Sequence, residues 1–353
     1  MDVFPEVADS IPRAQWNAIC AWFDQRDLPR MATPASVRKK TTGPPARVRT
    51  RAVTAGASPR KPDASKAEVA GVSVTHPERV VAATDGITKL DVVRYHVAVG
   101  EWLLPHIAKR PLAVVKCPGS DLATCFFQKH AVEPFRQAAP DSPPYLHLPG
   151  TRDVIAAVQN GVFEFHSWGA SFPRIDRPDR ITLDLDPDDG LPWSTVLEAC
   201  ERTRALLDRL ELRWFVKTTG GKGLHFVLPI ARRYGWDEVK AFARGLAMQL
   251  ATDLPALFTA TMSKRERGGR VFVDYLRNAD GATAVAAYSL RSRAGLPVSM
   301  PVTWAALASD IRGTCFNLRN VPTLLKKRRA DPWADYDAAR QAITAAMRRA
   351  VKA

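Results

Sequence analysis

The sequence predicts a body of mixed helices and strands, of the α+β or α/β class and about 250 residues long. Residues 90–107 place apolar side chains at helical spacing, and the apolar run 110–118 that follows has the pattern of a buried strand. Residues 180–276 then alternate between strand and helix patterns. This interleaving along the chain favours a layered domain built from both kinds of element.

The elements between residues 180 and 276 are separated by two strong turn signals. Pro187-Asp188-Asp189-Gly190 ends the first strand, and Gly220-Gly221 separates two strand-like runs. The predicted strands are RITLDLDP (180–187), RWFVKTT (213–219), GLHFVLPI (223–230) and RVFVDYL (270–276), and the predicted helices are 195–210 and 237–255. Beyond Trp304 the pattern predicts one short helix and a basic tail.

Four segments of different composition follow one another along the 353-residue chain. Residues 1–27 predict a short amphipathic helical leader. Residues 28–70 are rich in proline, small residues and bases, which is typical of a disordered linker. The predicted globular domain spans 71–310, and 311–353 form a basic C-terminal helix and tail.

The overall composition is that of an ordinary globular protein, with 46% hydrophobic and 25% charged residues. No run approaches the ~18 apolar residues that a membrane helix needs, and the acidic start MDVFPEVADS lacks the positive charge of a signal peptide. We therefore expect a cytoplasmic protein without a membrane partner. Five scattered cysteines without a metal-ligand spacing favour reduced thiols over disulfide bridges.

The net charge of +15 is concentrated outside the predicted domain. Residues 28–62 carry nine bases and no acid, and 326–353 carry eight bases against three acids. A basic flexible arm can hold a polyanion nearby without selecting a sequence, although a solvated linker would have the same composition. Bulk charge therefore says little about the folded body.

Three acids lie on strand-like runs where carboxylates need a positive partner. Asp184 and Asp186 are two residues apart, so both side chains leave the same face of their strand. A divalent cation offsets such like-charge repulsion, although a polar turn would also tolerate this pair. Asp274 shares a strand face with Phe272, and an ordinary ion pair is the alternative explanation there. Three carboxylates from two strands can hold two metal ions.

A glycine turn between two strands offers donors for a phosphate group. It is not a Walker A loop, because GxxxxGK[ST] is not matched and a strand follows it. Taken alone, the turn could be a simple hairpin. The donors at this turn are Lys217, Thr219, Lys222 and His225. Other candidate phosphate-binding or base-stacking residues are scattered along the chain: His166, Arg267, Arg270, Arg291, Arg79, Lys89 and the pair Phe126-Phe127.

Taken together, these motifs resemble the polymerase domain of bacterial DNA ligase D, a member of the archaeo-eukaryotic primase superfamily. The resemblance runs collinearly from about Val74 to Leu307. It passes through HPERVV, GITKLDVVRYH, LLPH, RPLAVVKCP, FFQKH, FEFHSWG, DRITLDLDP, KTTGGKGLHFVLP, VFVDYLRN, YSLR and VSMPVTW. It implies an α+β primase-polymerase core with mixed and antiparallel sheets flanked by helices.

The resemblance also assigns roles to residues of this chain. The metal-binding catalytic acids are Asp184, Asp186 and Asp274; the nucleotide-binding residues are His166, Lys217, Thr219, Lys222, His225, Arg267 and Arg291; Arg79 and Lys89 bind the 5′-phosphate of the downstream DNA strand; Phe126 and Phe127 stack on the template. The family tends to have serine where this chain has Thr219.

The implied activity is extension of DNA 3′-ends, or gap filling, with NTPs or dNTPs and two Mn²⁺ or Mg²⁺ ions in non-homologous end joining. The implied partners are DNA ends, gapped DNA with a 5′-phosphate, the Ku protein and an ATP-dependent ligase, and the implied location is the nucleoid. The chain has no KxDG ligase motif, and residues 1–27 could be the remnant of a fused ligase. A metal-dependent nuclease and a non-catalytic DNA-end binding module are the alternatives.

Overall fold

The computed structural model of the chain describes residues 66–130, 145–308, 315–328 and 330–352. The predicted leader, and the predicted linker as far as residue 65, lie outside the described residues. The strands are β1 Lys66–Val69, β2 Val72–Thr75, β3 Val80–Ala82, β4 Ile87–Thr88, β5 Leu112–Lys116, β6 Phe126–Gln128, β7 Val162–Trp168, β8 Arg180–Pro187, β9 Phe215–Thr218, β10 Leu224–Pro229, β11 Phe258–Thr259, β12 Val271–Asp274, β13 Thr283–Val285 and β14 Pro301–Val302. The helices are α1 Lys89–Ile107, α2 Thr151–Gln159, α3 Trp193–Arg209, α4 Trp236–Asp253, α5 Trp304–Ala308, α6 Val321–Lys327 and α7 Ala345–Ala350.

Two sheets form the body. The six-stranded sheet has the order β11-β12-β8-β10-β9-β14, and every pairing in it is antiparallel except β11 with β12. The four-stranded sheet has the order β13-β7-β5-β6 and is antiparallel throughout. Helices α3 and α4 pack against β8, whereas α1 and α2 pack against β7. The α+β prediction with antiparallel sheets flanked by helices is therefore confirmed.

Strand β8 shows how local sequence positions the acids. Ile181, Leu183 and Leu185 are fully buried in the apolar core. Because successive side chains on a strand point to opposite faces, the burial of these residues turns the intervening Asp184 and Asp186 to the other face. The core thus fixes which face of the sheet carries the charged residues.

Helix α1 is defined by signals at both ends of its sequence. Thr88 caps its N-terminus, accepting from the Asp91 amide while the Asp91 carboxylate accepts from the Thr88 amide. Pro105 lies within the last turn, and the helix ends two residues later at Ile107. The predicted range 90–107 matches this helix closely.

The structure includes a hairpin that begins before residue 71, the predicted start of the globular domain. β1 and β2 form an antiparallel hairpin that begins at Lys66, and its turn contains Gly71 with a positive φ of 73°. The prediction followed composition, which is linker-like up to residue 70. A short, half-exposed hairpin needs few large apolar residues, so composition does not reveal it.

The C-terminal segment is also different from the predicted basic tail. Trp333, Tyr336 and Ile343 are buried, and the backbone of Gln341 pairs with Pro229 and Ala231 at the end of β10. Residues 330–352 therefore belong to the folded body. Widely spaced apolar anchors among charged residues give no periodic signal, which explains why the sequence pattern indicates a tail.

The prediction of reduced cysteines is wrong for one pair. Cys117, which follows β5, forms a disulfide with Cys125, which precedes β6. The pairing of β5 with β6 brings these two residues together, and spacing along the sequence does not reveal that adjacency. Cys200 and Cys315 are buried, and Cys20 lies outside the described residues.

Candidate active site

Three carboxylates meet on two neighbouring strands of the six-stranded sheet. Asp184 and Asp186 share one face of β8, and Asp274 on β12 stands directly opposite Asp184 in the antiparallel register. Their side chains are 14%, 35% and 10% exposed in that order. The predicted acid cluster is therefore brought together by strand pairing.

Each carboxylate lies against a positively charged or hydrogen-bonding side chain. Arg277 bridges two of them, with Nη2 3.0 Å from Asp274 Oδ2 and Nε 3.4 Å from Asp184 Oδ2. Arg267 Nη1 donates to Asp186 Oδ2 over 2.7 Å, and this guanidinium also lies over the Phe272 ring. These cations supply the positive charge that the clustered acids need.

The acids titrate differently because their surroundings differ. Burial alone would raise the pKa of Asp184, but the nearby His225 and Arg277 outweigh it and hold that pKa at about 2. The pKa of Asp274 is raised, because burial and the charge of Asp184 outweigh the attraction of Arg277. Repulsion between the carboxylates on adjacent strands therefore raises the pKa of Asp274, whose cationic partner does not fully offset it.

The acid cluster has the chemistry of a divalent-cation site, with hard oxygen donors that have exposed cations among their present partners. Arg277 and Lys222 are 43% and 42% exposed, so solvent can accommodate both side chains if they move away. As the side chains lie, no three His, Cys, Asp or Glu residues in the described part of the chain are arranged to hold an ion. The residues fit a metal provided that these cations move aside.

The glycine turn between β9 and β10 packs directly against the acid strand. A Cβ on Gly223 would meet the Leu185 carbonyl oxygen at 2.5 Å, so a side chain there would push the turn away from β8. Gly220 has a positive φ of 69°, and a Cβ there would meet Arg291 Cγ at 2.7 Å. Thr219 Oγ1 donates to the Gly223 carbonyl, which closes the turn.

Lys222, at the tip of this turn, reaches back toward the acids. Its Nζ lies 2.7 Å from Asp189 Oδ1 and 3.8 Å from Asp186 Oδ1. His225 follows on β10, opposite Asp184 in the register, with Nε2 3.4 Å from Asp184 Oδ1. Burial and the charge of Lys217 lower the pKa of His225 to about 4, so its imidazole is neutral at pH 7.

A cavity of about 220 Å³ opens between the acids and the glycine turn. Of the predicted catalytic and nucleotide-binding residues, those that line it are Asp184, Asp186, His166, Thr219, Lys222, His225 and Arg291. Arg277 and Arg293 line it as well, although the sequence analysis did not select them. Arg277 could have been noticed from DYLRN, where it lies three residues after Asp274.

Two predicted nucleotide-binding residues do not line this cavity. Lys217 is 3% exposed and its Nζ donates to Ser299 Oγ over 2.5 Å, while burial holds its pKa well below the ordinary value. Arg267 is 6% exposed and is engaged with Asp186. Both are therefore buried away from the cavity.

Glu164 is a residue of the site that the sequence analysis missed. Its carboxylate accepts from Arg291 Nε over 2.8 Å and from the backbone amide of Ser292, and it lies 2.9 Å from His166 Nε2. Burial raises its pKa, but His166 and Arg291 outweigh burial and bring the pKa to about 2. Glu164 therefore fixes two cavity-lining side chains from beneath, and no motif marks that role.

The two predicted 5′-phosphate ligands are neighbours in the structure. The backbone amide of Lys89 donates to the Arg79 carbonyl, and Lys89 Nζ donates to the Thr75 carbonyl. Burial and the adjacent Arg79 lower the pKa of Lys89. Neither residue lines the acid cavity.

Phe126 and Phe127 lie on β6, the edge strand of the four-stranded sheet. Both rings are exposed, because the two residues are 47% and 45% accessible to solvent. The ring of Phe127 contacts His166 with their centroids 5.3 Å apart, which links the exposed pair to the cavity wall.

An α+β body with three acids on adjacent antiparallel strands, beside a cation-lined cavity and a glycine turn, is of the primase-polymerase class. The family described as LigD, primase-polymerase domain, matches residues 88–333. This chain therefore belongs to the LigD primase-polymerase family.

Curated relatives and a solved structure agree with this assignment. The multifunctional non-homologous end joining protein LigD of Pseudomonas aeruginosa is 44% identical over 83% of this chain and 36% of its own length. The protein of that name from Mycolicibacterium smegmatis is 34% identical over 67% of this chain and 32% of its own length. The chain thus spans about a third of the length of these two relatives.

The polymerase domain of Mycobacterium tuberculosis ligase D, solved in complex with DNA, has a TM-score of 0.68 to this chain. It is 28% identical, and the match covers 76% of this chain and 98% of that domain.

Within the described part of the chain, no helix combines the length and the apolar character needed to cross a bilayer.

Proposed function

We propose that this chain is a metal-dependent nucleotidyltransferase that extends DNA 3′-ends or fills gaps with NTPs or dNTPs. The observation that carries the proposal is the register of β8 and β12, which sets Asp274 opposite Asp184 beside a cavity lined by cationic and hydroxyl donors. A nuclease also uses clustered acids, but the donors around this cavity suit a triphosphate.

Asp184, Asp186 and Asp274 are the residues that would hold two Mg²⁺ or Mn²⁺ ions. When bound, such ions lower the pKa of a 3′-hydroxyl and neutralise charge on the leaving pyrophosphate. Arg277 and Lys222 release the carboxylates for this role, and Arg267 holds the second carboxylate of the pair in orientation.

The triphosphate is bound by donors from several elements that surround the cavity. Lys222 and Thr219 come from the glycine turn, neutral His225 from β10 and His166 from β7, and Arg291 packs beside the turn, where it donates to the Thr219 carbonyl. Arg291, held by Glu164, can stabilise negative charge on phosphate oxygens. Lys217 and Arg267 do not line the cavity, so neither is expected to contact the triphosphate.

Arg79 and Lys89 would bind the 5′-phosphate of a downstream strand. Their adjacency places two cations together, and a bound phosphate relieves that repulsion. Phe126 and Phe127 present exposed rings at a sheet edge, which suits stacking on template bases. The neighbouring structure of the M. tuberculosis domain was solved in complex with DNA, which supports a DNA substrate here.

The biological setting would be non-homologous end joining of double-strand breaks at the nucleoid, together with Ku and an ATP-dependent ligase. The relatives from P. aeruginosa and M. smegmatis carry that process in their names. This chain matches only about a third of their length, so the ligase would be supplied by other sequence.

Primer extension on gapped DNA with a downstream 5′-phosphate tests the proposal. The reactions contain Mn²⁺ or Mg²⁺ with each NTP or dNTP, and they compare the parent with Asp184→Asn. Asp176→Asn is the matched control, because Asp176 is 68% exposed and lies outside the cavity. We expect extension by the parent and the control, and none by Asp184→Asn.

Other outcomes identify the alternatives. Shortening of the primer without added nucleotide would indicate a nuclease. Binding to gapped DNA without incorporation in either metal would indicate an end-binding module. Equal extension by Asp184→Asn and the parent would refute the acid assignment.

A further inference from the structure

The Cys117–Cys125 bridge closes a short loop at the edge of the four-stranded sheet. Cys117 directly follows β5 and Cys125 directly precedes β6, so the bridge adds a covalent link where the pairing of these two strands ends. The closed loop consists of two short 3₁₀ turns, Pro118–Ser120 and Leu122–Thr124. Both ends of the loop are therefore held by the same pair of residues.

Most of the described side chains of this loop lie at the surface. Leu122 is half-buried, and the exposed residues are Pro118, Gly119, Asp121, Ala123 and Thr124. The hydrogen bonds of the two turns run within the loop, from the Asp121 amide to the Pro118 carbonyl and from the Thr124 amide to the Asp121 carbonyl. A loop with so little buried apolar surface has a low local stability, so the bridge limits how far it can move.

One side of the loop contacts a residue predicted to bind the 5′-phosphate. The Gly119 carbonyl accepts from Arg79 Nη1 over 3.3 Å. Arg79 lies beside the second predicted phosphate ligand, because its own carbonyl accepts from the Lys89 amide. The loop backbone therefore orients one of the two cations of the proposed phosphate site.

The C-terminal end of the loop leads directly into the exposed aromatic pair. Phe126 follows Cys125 in the sequence, and Phe127 stands opposite Val115 in the register of β6 with β5. β6 has three residues and lies at the edge of its sheet. A short edge strand has few backbone hydrogen bonds, so a covalent link at its first residue helps to fix both rings.

The two cysteines differ in how firmly the rest of the fold holds them. Cys117 is fully buried, its amide donates to the Gly161 carbonyl over 2.8 Å, and its Sγ lies 3.6 Å from Ser292 Oγ. The Ser292 amide in turn donates to Glu164 at the cavity wall. Cys125 is only half-buried. The bridge thus connects a fixed residue beside the cavity to the exposed end of the loop, and its opening would release mainly that end.

Reduction can begin at Cys125, because this is the more exposed cysteine of the two. The thiolate of a small dithiol or of a dithiol protein attacks Cys125 Sγ, breaks the S–S bond and displaces Cys117, which takes up a proton. The second thiol of the reductant then displaces Cys125 and forms the reductant's own disulfide. Two electrons pass to the protein, and both cysteines become thiols.

We propose that the Cys117–Cys125 bridge is a redox switch for DNA recognition. The closed bridge holds the loop that orients Arg79 and fixes Phe126 and Phe127, and reduction by a dithiol weakens the recognition of 5′-phosphorylated DNA while the acid cavity is retained. The inference rests on the DNA-binding roles proposed above for these three residues. The proposed setting at the nucleoid is a reducing one, where the bridges that form are mostly transient, catalytic or redox-sensing.

Alkylation of the denatured full chain, followed by mass spectrometry, tests whether the bridge forms and opens. The tryptic peptide 117–129 contains both cysteines. We expect it to be unalkylated in protein purified without reductant and doubly alkylated after treatment with dithiothreitol. Double alkylation before the treatment would overturn the proposal.

DNA binding without divalent metal or nucleotide measures the consequence. The substrates are two gapped DNAs that carry either a phosphate or a hydroxyl at the downstream 5′-end, and the protein is either oxidised or reduced with dithiothreitol that is then removed. We expect the ratio of the two Kd values, hydroxyl over phosphate, to fall about tenfold on reduction, which corresponds to one charge-assisted hydrogen bond.

Two other outcomes separate the switch from the function on which it rests. A ratio above one that reduction leaves unchanged would refute the switch and leave the proposed phosphate site intact. Equal Kd values for the two DNAs with the oxidised protein would refute both the phosphate site at Arg79 and the switch.

Three variants connect the effect of dithiothreitol to the bridge. Cys125→Ser should bind both DNAs as the reduced parent does, and the reductant should change its Kd ratio no further. Arg79→Gln should also be insensitive, because the guanidinium that the loop orients is absent. Cys200→Ala, which replaces a cysteine of α3, should respond as the parent does. A Kd ratio in Cys125→Ser equal to that of the oxidised parent would contradict the proposal.

Calorimetric titration with Mn²⁺ distinguishes a local switch from a general loss of structure. The acids lie on β8 and β12 of the six-stranded sheet, whereas the bridge lies in the four-stranded sheet. We therefore expect equal Mn²⁺ affinity in the oxidised and reduced parent. A fall in Mn²⁺ affinity that parallels the fall in the Kd ratio would mean that reduction loosens the whole domain, and it would overturn the proposal.

Discussion

Two buried aspartates, one near each end of strand β8, have similar pKa values but different contacts. The pKa values of Asp184, near one end, and Asp179, just before the other, are both lowered to about 2 against the opposing effect of burial. Asp179 is 2% exposed and is fixed by Arg110 and Ser171. Asp184 is 14% exposed, faces a cavity, and has Arg277, itself 43% exposed, as its cationic partner.

The difference teaches that a lowered pKa does not by itself identify a functional acid. A carboxylate whose partners are buried and bidentate is part of the fold, because neither charge can leave without its partner. A carboxylate whose partner is solvent-accessible can exchange that cation for another.

The largest effect is expected from replacing each aspartate by asparagine. Asp179→Asn leaves Arg110 buried without its carboxylate, so we expect a loss of about 3–5 kcal/mol in the free energy of unfolding. Asp184→Asn should change that free energy by less than about 1 kcal/mol, because Arg277 can turn to water. Urea unfolding measures both values.

The loss of extension activity should be larger in Asp184→Asn than in Asp179→Asn. Extension should fall at least about a thousandfold in Asp184→Asn, since the acid cluster loses a metal ligand. A stability loss in Asp184→Asn as large as in Asp179→Asn would remove the distinction between the two ends of the strand.

Glu164 sharpens the comparison, because it is buried like Asp179 but holds Arg291 and His166, which line the active-site cavity. Glu164→Gln weakens the charge-assisted bonds to Arg291 and His166, so we expect about a 10- to 100-fold rise in KM for the nucleotide. The measurement is steady-state extension, with the exposed Glu201→Gln as control. A fall in kcat alone with KM unchanged would contradict a role in positioning the nucleotide-binding side chains.

Acid titration tests how much Asp179 contributes to the free energy of unfolding. The folded-state pKa of Asp179 lies below its ordinary value of 3.8, so its stabilisation is complete above that pH and is lost as the pH falls toward 2. We expect Asp179 to account for about 2 kcal/mol of the parent's loss between pH 5 and pH 2. Urea unfolding across this range should show a shallower decline in Asp179→Asn, and parallel curves would refute the attribution.

The smallest effect is expected on the affinity for Mn²⁺ when Arg277, the cation paired with the acids, is replaced. Arg277→Gln removes a competitor for Asp184 and Asp274, so Mn²⁺ should bind about three- to tenfold more tightly in the absence of nucleotide. Calorimetric titration of Mn²⁺ measures this change, and Arg265→Gln, an exposed arginine of a nearby loop, is the control. Weaker Mn²⁺ binding would mean that Arg277 organises the acids instead of competing for them.

Much of the fold and part of the site follow from local pattern. Periodicity predicts α1, α3, α4 and strands β8, β9, β10 and β12 within a few residues, because buried and exposed positions recur with the period of each element. The alternation in RITLDLDP also places Asp184 and Asp186 on one face. The glycine turn is visible because only glycine allows its backbone to approach β8.

Other features depend on contacts between residues that are distant in sequence. Glu164 and Arg277 become part of the site only when β7 and the segment after β12 are brought to the cavity. The Cys117–Cys125 bridge requires β5 to pair with β6. The burial of Trp333 and Tyr336 requires the C-terminal segment to cross the start of β8.

The sequence by itself therefore determined the element types, the same-face pair of acids and the family to which the chain belongs. Only the tertiary structure decided which cations hold those acids and which predicted ligands do not line the cavity. The physical reason is that periodicity records the exposure of each residue along one element. Charge pairing and cavity shape arise between elements, where the sequence separation of the partners carries no signal.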